Sequence, residues 1–333
     1  MTTIYLIRHA EAEGNLYRRI HGHTDGMITP AGMDQIRALA KRFEDIPVDA
    51  CYASDLLRTR TTAQAVYVPK GLPLQTDARF RELYTGVWED KPVGQLRAEE
   101  AESLGCFVQD PMSWKVEGSE PFMDYTGRFL EAMKEKAEKH DGGAIAIVTH
   151  SVVLQGVVKR LFPEKPLGLC PNTGVTKVEY ENGQYRLVYF YDGGHLTALP
   201  AGIKGGGVSY KTEAPLWFVS GLKPIEGLEP PKAEAYYTAL SVDEPVGVLA
   251  LDEVDAKTGK VTYVGLLPEK RGKRVSVQLL GMAVWHFRAA GKEKLLIERP
   301  ENGCMDKLLS QMQLKPDENG CCTMDIRRRV LPL

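Results

Sequence analysis

Two histidines stand at corresponding places in the first half of the chain. Arg8-His9 directly follows the short apolar run at residues 4–7, and His150 directly follows the apolar run at residues 144–148. Short apolar runs of this kind predict buried strands. Ligands of an open α/β sheet bind outside the carboxyl ends of its strands, so both histidines are expected over one crevice.

Arg58 is a third candidate, because it follows a predicted strand at residues 50–53 and opens a predicted helix over residues 56–68. The amino end of a helix attracts anions, and two guanidinium groups suit the oxygens of a phosphoryl group. A carboxylate is still needed to protonate the leaving oxygen. Spacing alone leaves Glu82 and Glu89 as equal candidates for that proton donor.

The elements that must position these residues alternate between strands and helices. Thr29-Pro30 predicts a helix start, and apolar residues recur at helical spacing after it and again after Phe122. Asn182-Gly183, between runs at 175–180 and 185–191, predicts a hairpin. The alternation predicts an α/β sandwich around a mainly parallel sheet.

Length and composition narrow the classes of function. A chain of 333 residues predicts two domains, and a net charge of -2 argues against general binding of nucleic acid or membrane surfaces. No run of ~18 apolar residues occurs, so no membrane span is expected, and the apolar run near the amino end is too short for a signal peptide and lacks a cleavage region. Six scattered cysteines without metal-type spacing predict reduced thiols in a cytoplasmic protein.

Five ordered motifs resemble those of the histidine phosphatase superfamily, which includes the cofactor-dependent phosphoglycerate mutases. The resemblance covers residues 1 to about 195. The matching positions are Leu6 to Glu11 with Asn15; His21, Gly22, Asp25, Thr29 and Gly32; Ser54 to Thr59 with Thr62 and Ala63; Glu82, Gly86, Trp88 and Glu89; and Thr149 to Ser151. Two positions depart from the family: His21 stands where Gln is common, and Ser151 where Gly is usual.

The resemblance implies a three-layer α/β/α phosphoglycerate mutase-like domain over residues 1–200 and a role for each residue. His9 is implied as the nucleophile and Glu82 as the proton donor. Three further catalytic residues hold the phosphoryl oxygens, and three more positions contact the substrate phosphate. The former are Arg8, Arg58 and His150, and the latter are Asn15, His21 and the backbone N–H of Ser151. No metal or other cofactor is implied for this domain.

The implied substrate is a small phosphorylated molecule. The sequence around Glu82 is more similar to the phosphatase branch than to the mutases, so hydrolysis of a phosphomonoester is predicted. Phosphoglycerate mutase-type transfer of the phosphoryl group is the alternative. Substrate preference is expected to come from the segment between about Trp88 and Glu120, whose sequence carries no recognisable code.

A domain boundary is predicted near residues 198–208, where glycines interrupt the pattern, and a smaller α+β domain over residues 208–333. Strands are predicted at 245–251, 261–267 and 294–298, with a turn at Lys257-Thr258-Gly259. Residues 264–273, followed by a predicted helix, resemble the acetyl-CoA segment of GNAT-type N-acetyltransferases. The resemblance implies these acetyl-CoA contacts: Leu267, Arg271, Gly272, Lys273, Arg274, Ser276 and Asn302.

The second domain also departs from the family it resembles. Arg274 and Ser276 occupy positions that are usually small, and Leu309 stands where a tyrosine often acts as general acid. Two hypotheses stay open: a bifunctional phosphatase and acetyl-CoA-dependent N-acetyltransferase, or a domain kept for packing, substrate recognition or assembly of a homodimer. The run Arg327-Arg328-Arg329 is predicted to be a solvated edge.

Overall fold

Two six-stranded sheets organise the computed structural model, which describes residues 1–166, 168, 170–200, 215–271, 275–299 and 305–333. The strands of the first sheet are β1 (Thr2–Arg8), β2 (Ala50–Ala53), β3 (Leu74–Thr76), β4 (Ala144–Thr149), β5 (Val175–Glu181) and β6 (Gln184–Asp192). Their order is β3-β2-β4-β1-β5-β6. The first four are parallel, and β5 and β6 run antiparallel. The predicted mainly parallel sheet is confirmed.

Helices cover both faces of this sheet. They are α1 (Glu13–Tyr17), α2 (Pro30–Phe43), α3 (Leu57–Tyr67), α4 (Val93–Glu99), α5 (Ala101–Gln109), α6 (Phe122–Lys139) and α7 (Ser151–Leu161). Side chains alternate along β1, so that Ile4 and Leu6 pack with α6 and α7 while Tyr5 and Ile7 pack with α2 and α3. Every residue of β4 is buried because both faces are covered. The predicted three-layer α/β/α domain is confirmed.

Local signals in the sequence set several of these boundaries. Thr29 caps α2 by accepting a hydrogen bond from the Gly32 N–H at 3.0 Å, with Pro30 as first helical residue. Asn182 and Gly183 both have positive φ, 52° and 80°, as a tight hairpin between β5 and β6 requires. One expectation is corrected: Arg8 is the last residue of β1 rather than following it, because its pairing with Thr149 extends the strand.

The second sheet has its strands in sequence order. They are β7 (Trp217–Ser220), β8 (Ala235–Ser241), β9 (Glu244–Asp255), β10 (Thr258–Leu266), β11 (Lys294–Glu298) and β12 (Cys321–Asp325). Neighbours are antiparallel except β10 and β11, which are parallel and joined through α8 (Ser276–Ala289). A shorter helix, α9 (Asp306–Gln311), precedes β12. A second sheet domain therefore follows the first.

Two expectations about this region meet the structure differently. The turn predicted at Lys257-Thr258-Gly259 exists but is shifted towards the amino end, to Ala256 and Lys257. Thr258 and Gly259 already belong to β10, where they pair with β11. The boundary predicted near 198–208 lies partly outside the described residues, which resume at Pro215.

The two domains share a core where α8 crosses α1. Leu16 and Tyr17 of α1 pack in the same apolar cluster as α8. Gly281 permits the close approach, because a Cβ at that position would lie 2.4 Å from the Tyr17 ring. Within the described ranges, no helix, α8 included, is long and apolar enough to cross a membrane.

Candidate active site

A cavity opens at the carboxyl ends of β1 and β4, where the sequence analysis predicts the catalytic residues. Seven of the eight residues predicted for the first domain line it: Arg8, His9, Asn15, His21, Arg58, Glu82 and Ser151. The eighth, His150, lies beside His9, with ring centroids 5.3 Å apart. The structure therefore brings together all eight, from elements that lie up to about 140 residues apart in the chain.

His9 is held as a neutral imidazole with a free nitrogen. Its Nδ1 lies 2.7 Å from the carbonyl oxygen of Ala10. A carbonyl can only accept, so Nδ1 carries the proton and Nε2 keeps its lone pair. Burial, and then the nearby charges of Arg58 and Arg8, hold the pKa of His9 well below its usual range. An unprotonated Nε2 is the state that a nucleophilic histidine needs.

His150 has the opposite arrangement of protons. The Nε of Arg58 donates to its Nδ1 at 3.2 Å, so a neutral His150 carries its proton on Nε2. Burial and the charge of Arg58 lower the pKa of His150 well below its usual range. Nε2 is buried and has no hydrogen-bond partner among the residues that the structure describes. It is a donor without an acceptor.

Arg58 is fully buried at the first turn of α3, and all three of its nitrogens are engaged. Besides Nε, the Nη1 group donates to the carbonyl of Thr24 at 2.9 Å and Nη2 to that of Gly22 at 2.6 Å. Each Nη group keeps one further N–H that can reach an anion. Burial lowers the pKa of Arg58 to about 10, so the side chain is still charged at neutral pH.

Arg8 contributes a second buried donor without an acceptor. Its Nη1 group donates to the carbonyl of Cys170, while its Nε is buried and finds no partner in the described part of the chain. Leaving a buried donor unpaired costs about 1–3 kcal/mol. Arg8 Nε and His150 Nε2 are two such donors, and an anion bound between these side chains would satisfy them.

The geometry separates the two carboxylates that spacing could not. Glu82 lines the cavity at the amino end of α7, where it accepts from the backbone N–H groups of Val152 at 3.1 Å and Val153 at 2.8 Å. Glu89 is turned to a neighbouring loop, accepting from the N–H groups of His23 at 2.8 Å and Thr85 at 2.9 Å. Glu89 therefore holds loops together, and Glu82 is the carboxylate of the cavity.

Asn15, His21 and Ser151 complete the predicted set. Asn15 accepts through Oδ1 from the Ala12 N–H at 3.1 Å, so its amide nitrogen is the part that can donate to an anion. His21 accepts through Nε2 from the Gly14 N–H at 2.5 Å, and burial lowers its pKa well below the usual range. Ser151 begins α7, whose amino end points its N–H groups at the cavity.

Several lining residues were missed by reading the sequence. Phe107 and Val108 of α5 form an apolar part of the rim, and Arg19 and Gln155 add polar groups. The two apolar residues do lie in the segment expected to set substrate preference. Nothing in their own spacing distinguishes them, because α5 has apolar residues on more than one face. The only signal for Arg19 is its place two residues before His21.

The predicted cofactor contacts of the second domain are only partly described. Leu267 follows β10, Arg271 donates through Nε to the carbonyl of Leu266 at 2.9 Å, and Ser276 begins α8. The other four, Gly272, Lys273, Arg274 and Asn302, lie outside the described residues. Among the described residues, no group of three or more His, Cys, Asp or Glu side chains has the arrangement of a metal site.

Comparison with known proteins finds relatives of the part that contains the cavity. A sequence profile of the histidine phosphatase superfamily (branch 1) matches residues 4–193. Probable phosphoglycerate mutase GpmB of Escherichia fergusonii is 28% identical over 190 residues, which are 56% of this chain and 88% of that protein. The solved structure of Bacillus stearothermophilus YhfR aligns with a TM-score of 0.56 and 32% identity, over 59% of this chain and 99% of that one. A phosphoserine phosphatase of Entamoeba histolytica shares the fold, with a TM-score of 0.51 and 24% identity over 59% of this chain and 100% of that one.

Proposed function

The chain belongs to the histidine phosphatase superfamily, branch 1, and from that premise we propose that it hydrolyses a small phosphomonoester through a phosphohistidine on His9. Membership in the family supports phosphatase or phosphoryl-transfer chemistry. The observation that carries the proposal is that two buried donors of this site, Arg8 Nε and His150 Nε2, have no hydrogen-bond partner among the described residues, while Nε2 of His9 keeps its lone pair. A phosphoryl group at that place would satisfy both donors while meeting the nucleophile.

In the first step Nε2 of His9 attacks phosphorus, and the bond from phosphorus to the leaving oxygen breaks. Glu82 supplies the proton that this oxygen needs to depart as an alcohol. Arg8, Arg58 and His150 donate hydrogen bonds to the phosphoryl oxygens, whose charge rises during transfer. Asn15, His21 and the Ser151 N–H add further contacts.

In the second step water attacks the phosphohistidine, and the bond between phosphorus and Nε2 breaks. The carboxylate of Glu82, which has given up its proton, accepts one from the attacking water. Inorganic phosphate leaves, His9 is neutral again and Glu82 again holds a proton. The cycle therefore returns every group to its starting state.

Transfer to a second hydroxyl instead of water is the alternative fate of the phosphohistidine. The relative named above as a probable phosphoglycerate mutase makes it worth testing. Release of inorganic phosphate from 3-phosphoglycerate, against its conversion to 2-phosphoglycerate, separates the two outcomes. We expect phosphate release to dominate.

Replacement of His9 tests the proposal directly. His9→Ala is expected to abolish hydrolysis of para-nitrophenyl phosphate, and the wild type is expected to yield acid-labile phosphate on His9 after rapid quenching. His140→Ala is the matched control, because His140 lies next to the opposite end of β4, at the end of α6. Hydrolysis that survives in His9→Ala would overturn the proposal.

For the second domain we propose binding of acetyl-CoA at the turn between β10 and α8, as its resemblance to GNAT-type N-acetyltransferases implies. Two observations support this. The strand leads into a helix of 14 residues, whose amino end attracts a pyrophosphate. The parallel pairing of β10 with β11 ends at Val261, and from there to Leu266 β10 pairs only with β9 among the described strands, so β10 and β11 part near the turn. Calorimetric titration of the full chain with acetyl-CoA should release or absorb heat, and a flat titration removes this proposal.

A further inference from the structure

A second cavity lies between the two domains and meets the catalytic one. We name it the interdomain cleft, and its lining includes Tyr17, Arg19, His21, Trp285, Arg288 and Arg328. The first three belong to the segment that follows His9, and the others to the second domain. Arg19 and His21 line the catalytic cavity as well, so the two cavities meet at these side chains.

Two of the three arginines in the cleft are neutralised by carboxylates. Arg288 donates to both oxygens of Glu13 at 2.7 Å, with both side chains mostly buried. Arg19 donates to Asp90 at 2.8 Å. These pairs fix the walls of the cleft but leave no charge to attract a ligand.

Arg328 differs from its neighbours in the run of three arginines. Arg327 and Arg329 both pair with Asp325, at 2.6 Å and 2.9 Å. Arg328 lines the cleft and has no ion pair or hydrogen bond with any described residue. Its charge is felt at the junction with the catalytic cavity, where it is one of the guanidiniums that lower the pKa of His21. All three arginines are exposed, as the prediction of a solvated edge expects, but only Arg328 lines the cleft.

Trp285 supplies an apolar surface in the same cleft. It is 41% exposed, although nine of the fourteen residues of α8 are buried. The guanidinium of Arg19 lies 5.6 Å from the centre of the indole ring and orients it. An exposed indole held in place offers a packing surface for the uncharged part of a ligand.

We propose that the leaving group of the substrate extends past His21 into the interdomain cleft, packs on Trp285 and presents a second anionic group, phosphate or carboxylate, to Arg328. The planar guanidinium fork binds both kinds of anion. This inference rests on the proposed function of the catalytic cavity and adds the class of substrate. It also gives the second domain a part in substrate recognition.

Three substrates of similar size test the inference. Glucose 6-phosphate has an uncharged leaving group, 6-phosphogluconate carries a distal carboxylate, and glucose 1,6-bisphosphate carries a distal phosphate. The wild type is expected to hydrolyse at least one of the last two with a kcat/KM about tenfold to a hundredfold above that for glucose 6-phosphate, as a charge-assisted contact provides. Whichever is preferred identifies the second anion.

The variants assign this preference to one side chain. Arg328→Ala is expected to reduce the ratio of kcat/KM values to near one. Arg329→Ala, which removes an adjacent exposed arginine that faces Asp325, is expected to keep the wild-type ratio. Trp285→Ala should raise KM for the preferred substrate, and Trp285→Phe should restore part of the loss.

The possible outcomes distinguish a failure of this inference from a failure of the proposed phosphatase function. A wild-type ratio near one, a ratio that survives Arg328→Ala, or an equal loss in Arg329→Ala would overturn the inference while hydrolysis dependent on His9 continues. A wild type that hydrolyses neither these substrates nor para-nitrophenyl phosphate would instead overturn the proposed function.

Discussion

Hydrogen-bond partners decide what each of the two central histidines can do. His9 gives the proton of Nδ1 to a carbonyl, while His150 accepts at Nδ1 from Arg58. The two rings therefore hold opposite tautomers, and Nε2 is a lone pair in one and a donor in the other. Burial keeps both rings neutral, which preserves this division. We therefore expect that His9 acts as nucleophile and His150 as donor because of their partners, the Ala10 carbonyl and Arg58, since the residue type is the same.

The buried histidines also make stability depend on pH. The folded pKa values of His9, His21 and His150 lie well below the ordinary 6.5. Below pH 6.5 the unfolded chain binds protons that the folded chain does not, so the free energy of unfolding falls as the pH falls. Each group contributes a slope of up to about 1.4 kcal/mol per pH unit. Urea denaturation at pH 7.5, 6.5 and 5.5 measures this slope.

His21→Gln provides the comparison, because the amide oxygen of glutamine can still accept from the Gly14 N–H but does not titrate. Between pH 6.5 and 5.5, the free energy of unfolding of His21→Gln is expected to change less per pH unit than that of the wild type. The difference is expected to be about the contribution of one histidine. Identical slopes in the two proteins would contradict the lowered pKa of His21.

At the scale of single residues, the sequence predicted which side chains meet, and the family resemblance implied their roles, but neither indicated the hydrogen-bond partners that set the two tautomers. Motifs with ordered spacing identified His9, His150 and both arginines, because strand ends and helix starts leave local signals. Spacing alone could not separate Glu82 from Glu89, and the choice of Glu82 came from the family resemblance, with which the position of Glu82 in the cavity agrees. The motifs also could not distinguish Arg328 from Arg327 and Arg329, because the direction of a side chain outside a regular element leaves no pattern.

Among the elements, α8 is unusual because it is buried on two sides. One face packs on the second sheet and the other on α1, and Gly281 lies at the crossing. Replacing a helical glycine with alanine normally stabilises a helix by about 1 kcal/mol. Gly281→Ala is expected to destabilise instead, by about 1–3 kcal/mol, because the new methyl group would overlap Tyr17. Thermal or urea denaturation measures the sign.

Gly105 offers the matched control in α5. A Cβ there would meet nothing within 4 Å, so Gly105→Ala should stabilise by the ordinary amount. The same chemical change is thus expected to have opposite signs at the two positions. Stabilisation by Gly281→Ala would mean that Tyr17 of α1 does not lie in contact with position 281 of α8.

Element boundaries were predictable where they depend on neighbouring residues. The cap Thr29-Pro30 and the hairpin Asn182-Gly183 were confirmed, because each acts through its own backbone. The turn at Lys257-Thr258-Gly259 was misplaced, because pairing with β11 draws Thr258 and Gly259 into β10. The register between β10 and β11, whose paired residues are 36 positions apart in the chain, depends on packing between the strands. A local sequence pattern carries no information about that packing.

At the scale of the whole molecule, a buried ion pair joins the two domains. Arg288 of α8 and Glu13 of α1 are 275 residues apart in the chain and form two hydrogen bonds of 2.7 Å. Arg288→Met is expected to lower the free energy of unfolding by about 3–5 kcal/mol, because it leaves Glu13 buried without its partner. Urea denaturation measures the loss.

Arg299→Met is the control, because Arg299 forms a similar two-bond pair with Asp306 that is exposed to solvent. Its loss should cost less than about 1 kcal/mol. Equal effects in the two variants would mean that the Arg288–Glu13 pair is not buried between the domains. No pattern in the sequence indicates this pair, since each partner is an ordinary charged residue on its own helix.

The contact of Gly281 with Tyr17 constrains how this chain can diverge in evolution. A larger residue at position 281 is tolerated only if position 17 becomes smaller, and loss of the second domain would expose the Tyr17 ring that now packs against α8. Chains that keep both domains should therefore show correlated changes at positions 17 and 281. Single-domain relatives should carry polar residues at the position equivalent to 17.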